Sequence, residues 1–212
     1  MDGITVILFL CVCIPILPII TLLPDRQARL FLGFLLIGVA LCLVASELNP
    51  LLLQHFGGDT VYVTANITPI AEELLKCLPV LYYALFFSDE RRTLVSLAMA
   101  VGLGFAMLEN MVILVANVGS VTVPWALARG FGAAQMHSAC TAMVGLGVSF
   151  VYKRRKLFWC GIFSLLLAAS VFHAIFNLLV QSDFRWLAFI WSALLFVPQI
   201  ASRLRRVRDS KR

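Results

Sequence analysis

Glu72, Glu73 and Lys76 stand close together in "TPIAEELLKCLPVLYYALFF", a stretch otherwise apolar enough to lie in hydrocarbon. Three further apolar stretches carry groups of the same kind. Glu109 lies in "GLGFAMLENMVIL", Arg129 and His137 in "RGFGAAQMHSAC", and His173 with Asn177 in "VFHAIFN". Ionisable groups are expensive inside a membrane and mark functional sites by default. The residue types suit hydrolysis. A carboxylate can take a proton from water, and imidazoles and amides can hold the water or steady developing charge. Two histidines with one carboxylate also make a ligand set for a catalytic zinc with one open position. No HExxH is present, so a zinc would have to be held between helices: Glu72, His137 and His173 are the set.

The elements that must position these groups are membrane helices. Of 212 residues 61% are hydrophobic, and the mean hydropathy is +0.96. A soluble domain is about 45–50% apolar. The apolar runs approach the ~20 residues needed to cross a ~30 Å core. The reading is an all-α polytopic membrane protein with about seven transmembrane helices, near 4–24, 30–54, 67–88, 93–118, 122–152, 157–181 and 186–202. Residues 1–202 form one integral-membrane domain, and 203–212 a basic tail. The fifth span is long, and a tilt or break near Pro124 is expected.

The net charge of +6 does not point to nucleic acid, because its placement follows membrane orientation. The loops "DRQAR", "DERR", "KRRK" and the tail hold 14 Lys or Arg, and the intervening loops hold only Arg185. Positive residues stay in the cytoplasm. Seven spans then place the N-terminus outside and the C-terminus inside. No positive n-region or A-x-A site suggests a cleaved signal peptide. The six cysteines all lie in apolar runs and read as packing residues rather than disulfides or metal ligands. His55 reads as a solvated loop residue, and Glu47 as a helix-end residue at the interface.

With this topology the buried polar groups fall in one outer-half layer. Glu72 and Glu73 lie one to two turns below the outer surface, and Glu109 about nine residues below its exit, or ~14 Å. His137 lies nearer the middle, and His173 and Asn177 in the last turns of an outward-running span. Faces agree too: Glu72 with Lys76, and His173 with Asn177, are each four apart. Thr68-Pro69 reads as a helix start, Thr68 as N-cap and Pro69 first in the helix. The blander readings are a Glu–Lys ion pair that only fixes packing, Glu109-Asn110 as a cap or bridge, and Arg129 as a neutralising partner.

"EELLK", "GFAMLEN", "RGFGAAQMH" and "HAIFN", in this order on separate spans, resemble the PrsW family of intramembrane proteases. That family is grouped with the CAAX prenyl endopeptidases and bacteriocin-processing proteins. The resemblance covers about residues 66–180. Two departures from the wider group point toward the PrsW branch: Lys76 with Cys77 replaces an EExxxR arginine, and Ala133 stands where FxxxH has its Phe. The resemblance implies peptide-bond hydrolysis in or at the membrane, with no cofactor. Glu72 would activate water, His137 hold it, and His173 and Asn177 stabilise the oxyanion. Glu73, Lys76, Glu109 and Arg129 would form a supporting charge network, and Glu72 and Glu73 are not separable from sequence alone. The implied substrate is a single-pass membrane protein, such as an anti-sigma factor, cut near its outer juxtamembrane segment. The implied setting is the plasma membrane of a prokaryote, with lipids as the other partner. The competing classes are a catalytically silent seven-span scaffold, like the anterior-pharynx-defective subunit of gamma-secretase, and a proton-coupled transporter.

Overall fold

The structure is a computed structural model, and it describes residues 3–194. Its elements in order are α1 (Gly3–Leu22), α2 (Arg26–His55), the single turn α3 (Thr60–Tyr62), a π-helical turn (Val63–Ile67), α4 (Thr68–Phe86), α5 (Arg91–Ala116), α6 (Val123–Val151), a 3₁₀ turn (Arg155–Leu157), α7 (Phe158–Gln181) and α8 (Leu187–Leu194). No strand occurs among the described residues. Each of the seven predicted spans is helical at its place. The far end of the last one, and the basic tail, lie outside the described residues. By length and composition α1, α2, α5 and α7 are apolar enough to cross a membrane. The chain is a helical membrane protein.

Local chemistry sets the ends. Asp25 caps α2, its carboxylate accepting from the amides of Gln27 and Ala28. Thr122 caps α6 by accepting from Trp125 N–H, with Pro124 in the first turn. The expected break near Pro124 is therefore absent: the proline starts the helix, where its missing N–H costs nothing. All six cysteines are free, as read from their surroundings.

α5 is the central element, packed between α2 and α6. Gly102 and Gly104 make this close packing feasible. They are two residues apart and so face nearly opposite sides of the helix. A Cβ on Gly104 would strike the carbonyl of Leu35 in α2, and one on Gly102 the carbonyl of His137 in α6. Gly38 of α2 answers from across the interface against Val101. Small residues at such crossings are the usual device of membrane helices. Gly104→Ala is expected to destabilise the bundle by about 1–3 kcal/mol through overpacking. Gly33→Ala, on open space in α2, is the control. Unfolding midpoints in a denaturing detergent series check the pair, and equal midpoints would contradict the packing argument.

The loops also sort by end. Lys153 pairs with Asp89 at 3.2 Å, joining the α4–α5 and α6–α7 connections at one end of the bundle. Thr64 Oγ1 lies 3.4 Å from Gln181 Oε1 at the other.

Candidate active site

α4 begins at Thr68 with Pro69 in its first turn, but Thr68 is not its N-cap: Ile67 before it is already helical. Helical backbone begins at Thr60, capped by the Asp59 carboxylate, which accepts from Tyr62 N–H, and runs through the π turn into α4. Pro69 fits this backbone. A regular helix would have Thr68 N–H bond Thr64 C=O and the residue-69 N–H bond Ala65 C=O, and proline has no N–H to give. The ladder widens instead, and Thr68 N–H reaches Val63 O. The carbonyl of Thr64 loses its helical donor, and Asn177 Nδ2 of α7 donates to it at 2.9 Å. The Asn177 amide, expected at the oxyanion, thus gives one of its two N–H groups to the backbone of the π turn.

The remaining predicted residues form one connected network across four helices. Lys76 is fully buried and donates to Glu73 Oε1 at 2.6 Å and to His137 Nδ1 at 2.8 Å. A donor at Nδ1 leaves the proton of a neutral His137 on Nε2, which donates to Glu109 Oε2 at 2.9 Å. Arg129 closes the far side. Its Nη2 lies 3.3 Å from Glu109 Oε1, and its Nε donates to Asn110 Oδ1 at 3.2 Å. On the near side His173 Nδ1 donates to Glu73 Oε1 at 2.9 Å. Its Nε2 then faces Glu72 Oε2 at 3.9 Å. The two imidazoles stand edge to face, with centroids 4.8 Å apart. Lys76 also lies 4.4 Å over the Phe105 ring.

Helix register explains the division of labour between the glutamates. Glu73 and Lys76 are three apart and meet directly, buried to 1% and 0% exposure. Glu72 points elsewhere. It lines a cavity of about 380 Å³ between α2, the π turn, α4 and α5, together with Ser46, Asn49, Thr64, Thr68 and Glu109. Glu73 does not line it. Asn49 Nδ2 donates to Glu72 Oε1 at 3.3 Å, while Glu72 Oε2 is buried without a hydrogen-bond partner.

Asn49 and the free hydroxyl of Thr68 were not among the expected site residues. The signal for Asn49 was present, an amide beside Pro50 in the last turns of α2. Thr68 could not be read correctly, because its role depends on the π turn.

A bundle of apolar helices that encloses carboxylates, imidazoles and a cavity is the design of a hydrolase working within the membrane. The chain belongs to the PrsW family of intramembrane metalloproteases, whose profile matches residues 26–202. No curated protein and no solved structure gives a match.

The family description implies a metal, and the residues fit one. Glu72, His137 and His173 are buried and offer ligand atoms within 4.8 Å of one another. The unpartnered Glu72 Oε2 suits a cation, and the Glu73 carboxylate at His173 Nδ1 is the usual outer-shell partner of a ligating histidine. His137 fits with an adjustment, because both its nitrogens are already engaged.

Proposed function

We propose that this intramembrane protease cuts a single-pass membrane protein near its outer juxtamembrane segment, using water activated by Glu72. The observation that carries the reading is the position of Glu72: buried, on a cavity wall, with one carboxylate oxygen unpaired. In this reading Glu72 takes a proton from water as the water oxygen bonds the carbonyl carbon. The same proton passes to the amine as the C–N bond breaks. His173, held at Nδ1 by Glu73, directs Nε2 at Glu72 Oε2, 3.9 Å away, and in this reading helps orient the water there. His137 is anchored by Lys76 and Glu109 and fixes the inner wall. Arg129 balances Glu109. Asn177 holds the π turn from which Thr68 and Glu72 follow.

The charge pattern of the loops supports an outer-half site, and an anti-sigma factor in a prokaryotic plasma membrane suits that depth. The test is cleavage of a panel of single-span peptides by purified protein in lipid, with the cut sites mapped by mass spectrometry. Cuts clustered at the outer end are expected. Cleavage only of cytosolic or lipid-modified C-terminal peptides would contradict the proposal.

A second reading places zinc on Glu72, His137 and His173, favoured by their close approach and by three carboxylates facing two cations in the cluster. A zinc ion there would supply an acidified bound water. Glu73 would then orient His173, and His137 would exchange Glu109 for the ion. The glutamate reading expects cleavage to survive dialysis against a chelator. Loss of activity together with one equivalent of zinc, both restored by added zinc, replaces it with the metal reading.

A further inference from the structure

Three oxygens on residues that line the cavity, Asn49 Oδ1, Thr68 Oγ1 and Glu72 Oε2, are buried without a hydrogen-bond partner. Buried polar atoms are seldom left unpaired, since each costs about 1–3 kcal/mol. Thr68 and Glu72 are only 6% and 4% exposed, so bulk solvent does not satisfy them.

Thr68 does not make the bond that many helical hydroxyls of this protein make. Thr64, Thr141, Ser149, Ser164 and Ser192 each turn their hydroxyl back onto a carbonyl three or four residues earlier in the helix. This is the normal habit of helical hydroxyls. For Thr68 the carbonyl four residues earlier is that of Thr64, which accepts from Asn177. Pro69, the π turn and Asn177 together leave the Thr68 hydroxyl free on the cavity wall.

A peptide unit entering this space brings one N–H and one C=O, and within a membrane neither can go unpaired. The cavity offers the complement. Asn49 Oδ1, an amide oxygen, can only accept, and Asn49 Nδ2 donates to Glu72 Oε1. Thr68 O–H can donate. We propose that Asn49 and Thr68 form a subsite for the extended backbone of the substrate. Asn49 accepts a substrate N–H and Thr68 donates to a substrate carbonyl, which lays the neighbouring peptide bond against Glu72. The inference rests on the protease reading. It adds that recognition is of main chain, so the subsite constrains sequence weakly and demands an unwound segment.

The test uses the Glu72→Gln variant in lipid nanodiscs as a trap, so that binding is read without cleavage. The probes are the fluorescently labelled single-span peptides of the panel above. In this background Asn49→Ala and Thr68→Val are each expected to weaken binding by about 3–10-fold, the worth of one hydrogen bond. A backbone-ester version of the tightest peptide, lacking one N–H near the cut, should bind the Asn49-intact trap more weakly than the amide does. It should bind the Asn49→Ala trap as well as the amide does. Thr68→Val keeps the side-chain shape and breaks no hydrogen bond of the free protein, so its result stands if Asn49→Ala folds poorly. Unchanged binding in Thr68→Val, or an ester penalty that persists without Asn49, overturns the subsite. Peptides that bind these traps as expected but are never cut by wild type would overturn the protease reading and leave the subsite standing. Peptides that do not bind at all overturn the subsite.

Discussion

Glu72→Gln is expected to lower cleavage by about 10²–10⁴-fold while leaving the fold intact, the range for loss of a positioned general base. Glutamine keeps the shape of the side chain and can still accept from Asn49, so the neighbouring contact survives. What goes is the oxygen that faces the cavity as a base. Glu73→Gln should behave differently. Glu73 Oε1 receives both Lys76 and His173, and an amide there leaves a buried ammonium without its counter-charge. The expected signature is lost stability with activity falling in step, recovered in part at low temperature. Measuring rate and unfolding midpoint together for both variants separates the two glutamates. Equal midpoints with equal rate losses would contradict the assignment made from the cavity wall.

Lys76→Met is the second large effect, and it falls on stability. A buried pair broken on one side costs about 3–5 kcal/mol, because the remaining charge keeps its desolvation cost without its partner. Here the remaining charge is Glu73, at 1% exposure. Replacing both partners removes the problem along with the attraction. The double variant Glu73→Gln, Lys76→Met is therefore expected to be more stable than Lys76→Met alone. Unfolding in mixed detergent micelles measures both. Strictly additive losses would mean that the pair is not coupled, against the 2.6 Å contact between them.

Much of this site could be read from residue order, for a definite reason. Hydrocarbon allows few polar side chains, so Glu72, Glu73, Lys76, Glu109, Arg129, His137 and His173 stood out, and a shared depth was enough to bring them together. Helix spacing also carried information. The face shared by Glu72 and Lys76, four apart, pointed at the right turn, and the pairing the structure shows is Lys76 with Glu73, three apart. Glu109 and Asn110 do bridge to α6, through Arg129. What escaped depends on irregular backbone. Thr68-Pro69 matches a helix start as well as it matches a proline within a continuing helix. Only the packing of the turn beneath α7 decides between them. Asn177 followed the same fate: its spacing from His173 was plain, but the carbonyl it binds is exposed only by the π turn. Gly102 and Gly104 were legible as small residues, and which helix each admits was not.

The π turn at Val63–Ile67 has a consequence for how the chain tolerates changes in length. A π turn holds one residue more than the α-helical turn it replaces. The side chains of Thr60–Tyr62 are thus out of phase by one position, or about 100°, with those after Thr68. A chain with one residue fewer here could close into plain α-helix, a backbone that holds Pro50 in α2 and Pro79 in α4. The residue count of this turn therefore fixes which side of the axis Thr60–Tyr62 take relative to Glu72, and a single deletion would swing them by about 100°.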